Sequence, residues 1–406
     1  MNKILKTTFI RWFPVISFII ITITLIYRFF TGFRSPSSYV VSQLIITYDH
    51  GFISRGFIGA IIKLLLNNGL YNYKALCFII ISVGVLFILW IIYNAYLAYI
   101  KKRNFMMATL LFWFSLSLYP AYLAHTMGYF EQYAYIFAIV FVEISLLARW
   151  KTALITGGIF SLVSVLISET NAFLVCPIFI AITLMVMYQD IDKMTFVIRH
   201  DKFKAIIRRL FLFFLAYLPS GIYLLIIRSI KIPQAQFSQL MQDVELNAPA
   251  IHYFERRFDI IGFFEQRSDL LSGFSAGIYP IPIQMLLFTL LIVYVSFLYL
   301  SLNQNKKTAV IYLVLATFVN ISCYSMAFFW WDIFRWYWSM SIATLLLSIY
   351  FFRCYDIKVA YKINFLDIFI LGTIAVLSIN AYHIPLFDKA EYNFFLQDFI
   401  HSFLFR

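Results

Sequence analysis

The stretch ALCFIIISVGVLFILWIIYNAYLAYI, Ala75–Ile100, contains no charged side chain and decides the fold class. An α-helix rises 1.5 Å per residue, so about 20 apolar residues cross a bilayer core about 30 Å thick. This stretch is long enough to cross, and similar apolar runs precede and follow it along the chain. The sequence therefore predicts an all-α integral membrane protein.

The overall composition favours the same class. The chain has 406 residues, of which 63% are hydrophobic and 13% charged, with a mean hydropathy of +0.85, whereas soluble domains are about 45–50% apolar. The net charge of +13 would suggest a nucleic-acid partner in a soluble chain. Here the basic residues fall between apolar runs and orient the protein in the bilayer, so no nucleic acid is expected. The four cysteines stand singly, without metal-ligand spacing, and we expect neither a metal nor a cofactor.

We predict about eleven spans, within a range of about ten to twelve, in one polytopic membrane domain covering residues 1–406. An interfacial helix is expected after the first span. Periplasmic loops are expected at about residues 31–73 and, as the larger loop between spans 7 and 8, at about residues 228–282. The predicted spans are residues 12–30, 75–100, 105–124, 132–148, 152–167, 172–188, 210–227, 283–302, 308–329, 337–352 and 365–382.

The basic residues predict the orientation of these spans. Most of the 32 Lys and Arg residues lie in connections that alternating spans place on one side, among them Lys101, Lys102 and Arg103. The positive-inside rule makes that side cytoplasmic. The N-terminus is then cytoplasmic and the C-terminal tail external, where the apolar spacing of residues 384–406 indicates a helix lying on the membrane.

A polar stripe marks the stretch YDHGFISRGFIGAIIK, residues 48–63. Arg55, Gly59 and Lys63 recur every four positions among Phe and Ile, as on one face of an interfacial helix. The free backbone N–H groups at the start of such a helix favour a carboxylate. Asp49 is therefore a catalytic candidate, and His50 and Arg55 are candidates for substrate binding. The same pattern fits an Asp49 that only caps the helix and an Arg55 that snorkels to lipid headgroups.

Other polar residues gather on the same external side, where short loops join the spans. Charged side chains at membrane depth cost about 2.5–3.5 kcal/mol each on insertion scales, so they tend to mark sites. Glu169 and Asp332 are further catalytic candidates. The candidates for substrate binding in these loops are His125, Glu131, Arg335 and Trp336. An aromatic belt with a local Asp–Arg pair, and a helix start near Glu169, explain the same residues without a function.

The long loop carries arginines among aromatic residues, in the segment IHYFERRFDIIGFFEQRSD, residues 251–269. Arg256 and Arg257 suit an anionic glycan or a lipid diphosphate, because an arginine fork binds phosphate. A charged loop that is simply solvated is the alternative interpretation.

Three of these segments resemble one family. DHGFISRGFIG after span one, SETNAF with Pro177 beyond it, and WDIFRW late in the chain are similar to segments of bacterial O-antigen or oligosaccharide repeat-unit polymerases of the Wzy type. Chain length, span number and a large external loop also resemble that family. Where the family often has a glycine and a histidine, this chain has Phe334 and Ser168.

The resemblance implies a glycosyltransferase of the bacterial inner membrane. Such an enzyme joins undecaprenyl-diphosphate-linked oligosaccharide repeat units at the periplasmic face, with the lipid bilayer and a chain-length regulator as further partners. The reaction needs cations to stabilise the leaving diphosphate and a carboxylate to accept the proton of the attacking hydroxyl. Asp49 is then the first choice for the base, with Glu169 and Asp332 behind it.

Three alternatives remain open at this point. A flippase or other transporter of the same lipid-linked oligosaccharide would carry its polar groups near the bilayer centre, whereas this chain places them at the external ends of its spans. Another transferase that uses a lipid-phosphate sugar would need much the same residues. A structural or assembly protein would tolerate the loss of Asp49 and Arg55.

Overall fold

The chain folds into a bundle of α-helices, as its apolar runs predict. A computed structural model describes residues 3–33, 40, 44, 46–50, 56–65, 73–102, 104–117, 119–192, 199–229, 238–239, 242, 283–303, 306–326 and 333–355. The described helices are α1 (Lys3–Gly32), α2 (Gly56–Leu65), α3 (Tyr73–Tyr96), α4 (Phe105–Leu116), α5 (Tyr119–His125), α6 (Phe130–Leu147), α7 (Trp150–Ile167), α8 (Asn171–Leu174), α9 (Cys176–Asp192), α10 (Arg199–Ser229), α11 (Ile283–Asn303), α12 (Lys306–Ser325) and α13 (Ile333–Cys354).

Seven helical segments of the described chain are long and apolar enough to cross a membrane. Their length and composition confirm the prediction of an all-α multi-pass membrane protein. An eighth arises if α4 and α5, which bend by 52° at the break between them, form one span. The described helices therefore do not support the count of eleven. The seven segments are Pro14–Gly32, Lys74–Lys101, Phe130–Leu147, Trp150–Ile167, Asn171–Asp192, Asp201–Ile227 and Lys306–Ser325.

The shortfall has a physical reason in α13. Every residue from Trp336 to Phe352 is buried within the protein, and α11, α12, α6 and α9 all pack around this helix. A helix that does not face lipid can carry hydroxyl groups, because neighbouring helices supply their hydrogen-bond partners. The predicted span 365–382, the C-terminal tail and most of the large loop lie outside the described residues.

Helices α6 and α13 run parallel and are joined at three levels. Arg335 and Glu131 pair where both helices begin, the Tyr135 hydroxyl donates to the Ser339 carbonyl at 3.1 Å, and Arg353 pairs with Glu143 near their other ends. The end at which α6 and α13 begin is called here the Arg335 end of the bundle, and the opposite one the Arg353 end. Chain segments far apart in sequence therefore converge at each end.

Helix α10 docks on α7 through small residues. At Gly158 an added Cβ would lie 2.5 Å from the backbone oxygen of Ala216, so the two backbones approach as closely as glycine permits. The Ser220 hydroxyl donates to the Ser161 hydroxyl at 3.0 Å across the same interface. In the first half of α10, Arg209 anchors the helix by donating to Asp190 at 2.5 Å.

Gly158→Ala is expected to lower the thermal unfolding midpoint of the detergent-purified protein, because overpacking at a close backbone contact costs about 1–3 kcal/mol. The matched control is Gly221→Ala on α10, where an added Cβ meets nothing within 4 Å. That control should leave stability equal or higher, since alanine favours a helix by about 1 kcal/mol over glycine. Equal effects of the two substitutions would contradict the close α7–α10 contact.

Candidate functional site

The most tightly held charges of the described chain lie at the Arg335 end. The Arg335 guanidinium donates from Nε to Glu131 Oε1 and from Nη2 to Glu131 Oε2, each at 2.5 Å. This two-point contact matches the planar guanidinium fork to the carboxylate and fixes both side chains. The Glu131 side chain is 1% exposed and that of Arg335 is 12% exposed.

Two aromatic rings frame the guanidinium. The Arg335 guanidinium carbon lies 4.5 Å from the ring centroid of Tyr129 and 5.0 Å from that of Trp336, both within the range of cation–π attraction. Trp336 is 2% exposed, and its indole N–H finds no acceptor among the described residues. The site thus combines a cation, two aromatic rings and an indole N–H without a described acceptor. These groups suit an anion that carries several oxygens.

A locked turn places Tyr129 against Arg335. The buried Gln132 side chain donates to the carbonyl oxygens of Leu123 and Thr126, at 3.0 and 2.8 Å, and accepts from the Gly128 N–H at 3.3 Å. Gly128 has a φ of +91°, a conformation that residues with a side chain rarely adopt. Gln132 thereby fixes the path of the chain between α5 and α6. His125, the last residue of α5, is half-buried beside this turn.

The segment that holds Glu169 reaches the same end of the bundle. Its turn is closed by Asn171, whose side-chain amide donates to the Ser164 carbonyl at 3.0 Å and whose N–H donates to the Ser168 carbonyl at 3.0 Å. Helix α8 follows and packs on α6, α12 and α13. The Cys323 thiol, at the end of α12, donates to the Leu174 carbonyl at 3.6 Å. The half-buried Glu169 therefore lies at the Arg335 end of the bundle.

Asp49 belongs to a second ion pair, beside α2. Lys63 Nζ and the Thr47 hydroxyl both donate to Asp49 Oδ2 at 2.6 Å. Lys63 lies in the last turn of α2, so the described contacts of this carboxylate do not include a cap at the start of that helix. The side chains of Lys63 and Asp49 are 32% and 46% exposed, so this pair is much less buried than the Glu131–Arg335 pair.

The glycines near Asp49 allow helix α2 to lie in close contact with the segment before it. A Cβ at Gly59 would lie 2.0 Å from the carbonyl oxygen of Ile46, and one at Gly56 would lie 2.8 Å from the Tyr48 ring. Helix α2 thus lies directly on the segment that carries Asp49. Burial raises the pKa of the Tyr48 phenol to about 12, so this neighbour stays protonated at neutral pH and is unsuited to act as a base.

The structure places the sequence candidates in different surroundings. It brings Glu131, Arg335 and Trp336 together and places Asp49 on Lys63. His50 ends a short 3-10 turn, and only its backbone is described. Four candidates lie outside the described residues: Arg55, Arg256, Arg257 and Asp332. Within the described chain, no group of three or more His, Cys, Asp or Glu side chains is placed to hold a metal ion.

Sequence reasoning missed two contributors at the Arg335 end, Tyr129 and Gln132. The available signal was their position around Gly128, since an isolated glycine before a helix often marks a turn. It also missed the partner of Glu143. Arg353 donates to Glu143 Oε1, to which the Trp90 indole N–H donates at 2.8 Å. That pairing joins helices α6 and α13, far apart in the chain.

Comparison with known proteins adds no relative. No protein-family model matches the chain, and neither the curated proteins nor the solved structures contain a match. The chemistry of the site therefore has to carry any functional assignment.

Proposed function

We propose that this protein is a membrane glycosyltransferase, a polysaccharide polymerase that joins undecaprenyl-diphosphate-linked oligosaccharide repeat units at the periplasmic face of the bacterial inner membrane. The observation that carries the proposal is the Arg335 guanidinium, held by Glu131 and walled by Tyr129 and Trp336. Such a group suits both parts of the substrate, because arginine binds phosphate oxygens and aromatic faces pack on sugar rings.

The chemistry of the transfer asks little more of the protein. The bond between the sugar and the lipid diphosphate breaks as the hydroxyl of a second unit attacks, so negative charge develops on the diphosphate and a proton leaves the hydroxyl. In this proposal Arg335 stabilises the negative charge on the diphosphate, with Arg55, Arg256 and Arg257 as further cations. Asp49 accepts the proton, with Glu169 and Asp332 as the next candidates. His50, His125, Glu131 and Trp336 contact the substrate.

We also propose the topology of the complete chain. It has eleven spans, with a cytoplasmic N-terminus, a periplasmic C-terminus and the Arg335 end facing the periplasm. The basic connections on the other side support this orientation. Alkaline phosphatase fused after residue 240 should be active and a fusion after residue 305 inactive, and the reverse pattern would invert the proposed orientation.

Deletion of the gene should remove the ladder of long lipopolysaccharide chains in gel electrophoresis and leave the core bearing a single repeat unit. The physical reason is that only the joining of units requires the proposed transfer, whereas delivery of one unit to the core does not. Complementation with the intact gene should restore the ladder.

The same gel separates the competing functions. Loss of even the first repeat unit would instead identify a flippase of the lipid-linked unit, which is the alternative from another class. An unchanged ladder in the deletion strain would exclude both functions for this protein. A chain-length regulator, if it is a partner, should alter the length distribution only when this gene is present.

A further inference from the structure

Two Glu–Arg pairs join the same two helices, yet they differ in how fully their partners are used. At the Arg353 end, the Glu143 side chain is 35% exposed and also accepts from the Trp90 indole N–H at 2.8 Å. At the Arg335 end, the Glu131 side chain is 1% exposed. The Trp336 ring centroid lies 5.0 Å from the guanidinium carbon, and the buried indole N–H of Trp336 has no acceptor among the described residues. The Glu143 carboxylate is therefore partly exposed and has a second donor, whereas the Glu131 pair is buried next to a tryptophan whose N–H lacks a described acceptor.

An unused buried donor has an energetic meaning. A buried N–H without an acceptor is unfavourable, because it has lost its hydrogen bond to water. A ligand oxygen that accepts from it removes this penalty. A carboxylate offers two oxygens, and both are taken by Arg335. A phosphate presents the same two-oxygen edge to the guanidinium and has further oxygens for a neighbouring donor such as Trp336.

The surrounding backbone also favours an anion at this position. Glu131 lies in the first turn of α6 and Arg335 in the first turn of α13, so the positive ends of two helix dipoles meet here. The Arg335 side chain keeps 12% exposure, which gives a ligand a route to the guanidinium. In this structure the Glu131 carboxylate is the anion at that position.

We propose that Glu131 is a displaceable internal counter-ion, and that the diphosphate of the lipid-linked substrate replaces its carboxylate on Arg335 and gains the Trp336 N–H. This inference rests on the proposed function for the identity of the ligand. It adds that the Glu131 carboxylate occupies the site when no substrate is bound. The buried Arg335 guanidinium is thereby neutralised and kept in its orientation between turnovers. Glu131 thereby competes with the diphosphate for the Arg335 guanidinium.

The test is the affinity of the full-length protein in lipid nanodiscs for inorganic pyrophosphate, measured by isothermal titration calorimetry. Glu131→Gln removes the competing charge and should bind pyrophosphate at least about tenfold more tightly than the unmodified protein. Glu131→Asp, whose shorter carboxylate reaches the guanidinium less well, should show a smaller gain in affinity. Trp336→Phe should weaken binding. The matched control is Glu143→Gln, which removes the same charge from the same helix and should leave the affinity unchanged.

Each outcome of this experiment either supports or overturns the inference. Weaker or absent binding by a folded Glu131→Gln protein would show that Glu131 only orients Arg335 and would overturn the inference. An equal gain from Glu143→Gln would reveal a general charge effect and would overturn it as well. If Glu131→Gln does not fold, Glu131→Asp decides by the same comparison. The lipopolysaccharide gel is independent of this measurement, so tighter pyrophosphate binding with an unchanged ladder would remove the polymerase proposal alone.

Discussion

Arg335→Ala is expected to destabilise the protein by about 3–5 kcal/mol, the usual cost of breaking a buried ion pair on one side. Glu131, 1% exposed, would keep a charge in a site that neither water nor another cation of known position compensates. The measurement is the thermal unfolding midpoint of the detergent-purified protein, together with its amount in the membrane. Under the proposed function the same variant also loses the lipopolysaccharide ladder.

The control for this prediction is the paired substitution Glu131→Met with Arg335→Met. Replacing both charges of a buried pair by apolar residues of similar size is often neutral or stabilising, so the double variant should recover stability but not polymer. That separation would assign the loss of polymer to the missing guanidinium. A double variant as unstable as Arg335→Ala would mean that the ion pair itself holds the two helices together.

The second Glu–Arg pair supplies a comparison on the same helices. Arg353→Ala also leaves a glutamate without its cation, but the Glu143 side chain is 35% exposed and keeps the Trp90 indole N–H. Its loss of stability should therefore be smaller than that of Arg335→Ala. If the two losses are equal, burial of the carboxylate is not what makes the Arg335 end sensitive.

Composition and apolar run length were enough to predict the helical membrane class, because a bilayer admits few other structures. Apolar run length also predicted a span at residues 337–352, within α13, although α13 is not among the helices that are apolar enough to be counted as membrane spans. That helix is surrounded by other helices and carries Ser339, Ser341, Thr344 and Ser348, all at most 1% exposed. High mean hydropathy marks a helix that faces lipid. A helix buried among other helices can carry polar side chains, so its mean hydropathy is lower.

Pairs between distant helices were harder to predict than single polar residues. Glu131 and Arg335 each stood out in the sequence as charges beside apolar runs, but their union depends on α6 and α13 running parallel as neighbours. Glu143 has no basic residue three or four positions away in the sequence. Its partner Arg353 lies on another helix. Local spacing detects i, i+4 neighbours, whereas helix packing decides the rest.

Asp49→Asn is expected to abolish the lipopolysaccharide ladder while the amount of protein in the membrane stays normal. An amide of the same shape cannot accept the proton of the attacking hydroxyl, so polymerisation stops if Asp49 is the base. Stability should hardly change, because the Lys63 and Asp49 side chains are 32% and 46% exposed and exposed ion pairs contribute only about 0–1 kcal/mol. The measurements are the gel ladder and an immunoblot of the membrane fraction.

Lys63→Gln separates the chemistry of Asp49 from its pairing. This variant breaks the same 2.6 Å contact but leaves the carboxylate, which still accepts from the Thr47 hydroxyl. If Asp49 acts as a base, Lys63→Gln keeps a ladder and Asp49→Asn does not. If Asp49 serves only to hold α2 against its neighbouring segment, the two variants behave alike, because either substitution removes the charge attraction between them. An intact ladder in Asp49→Asn would transfer the role of base to another carboxylate, and Glu169, half-buried at the Arg335 end of the bundle, would be the first to substitute next.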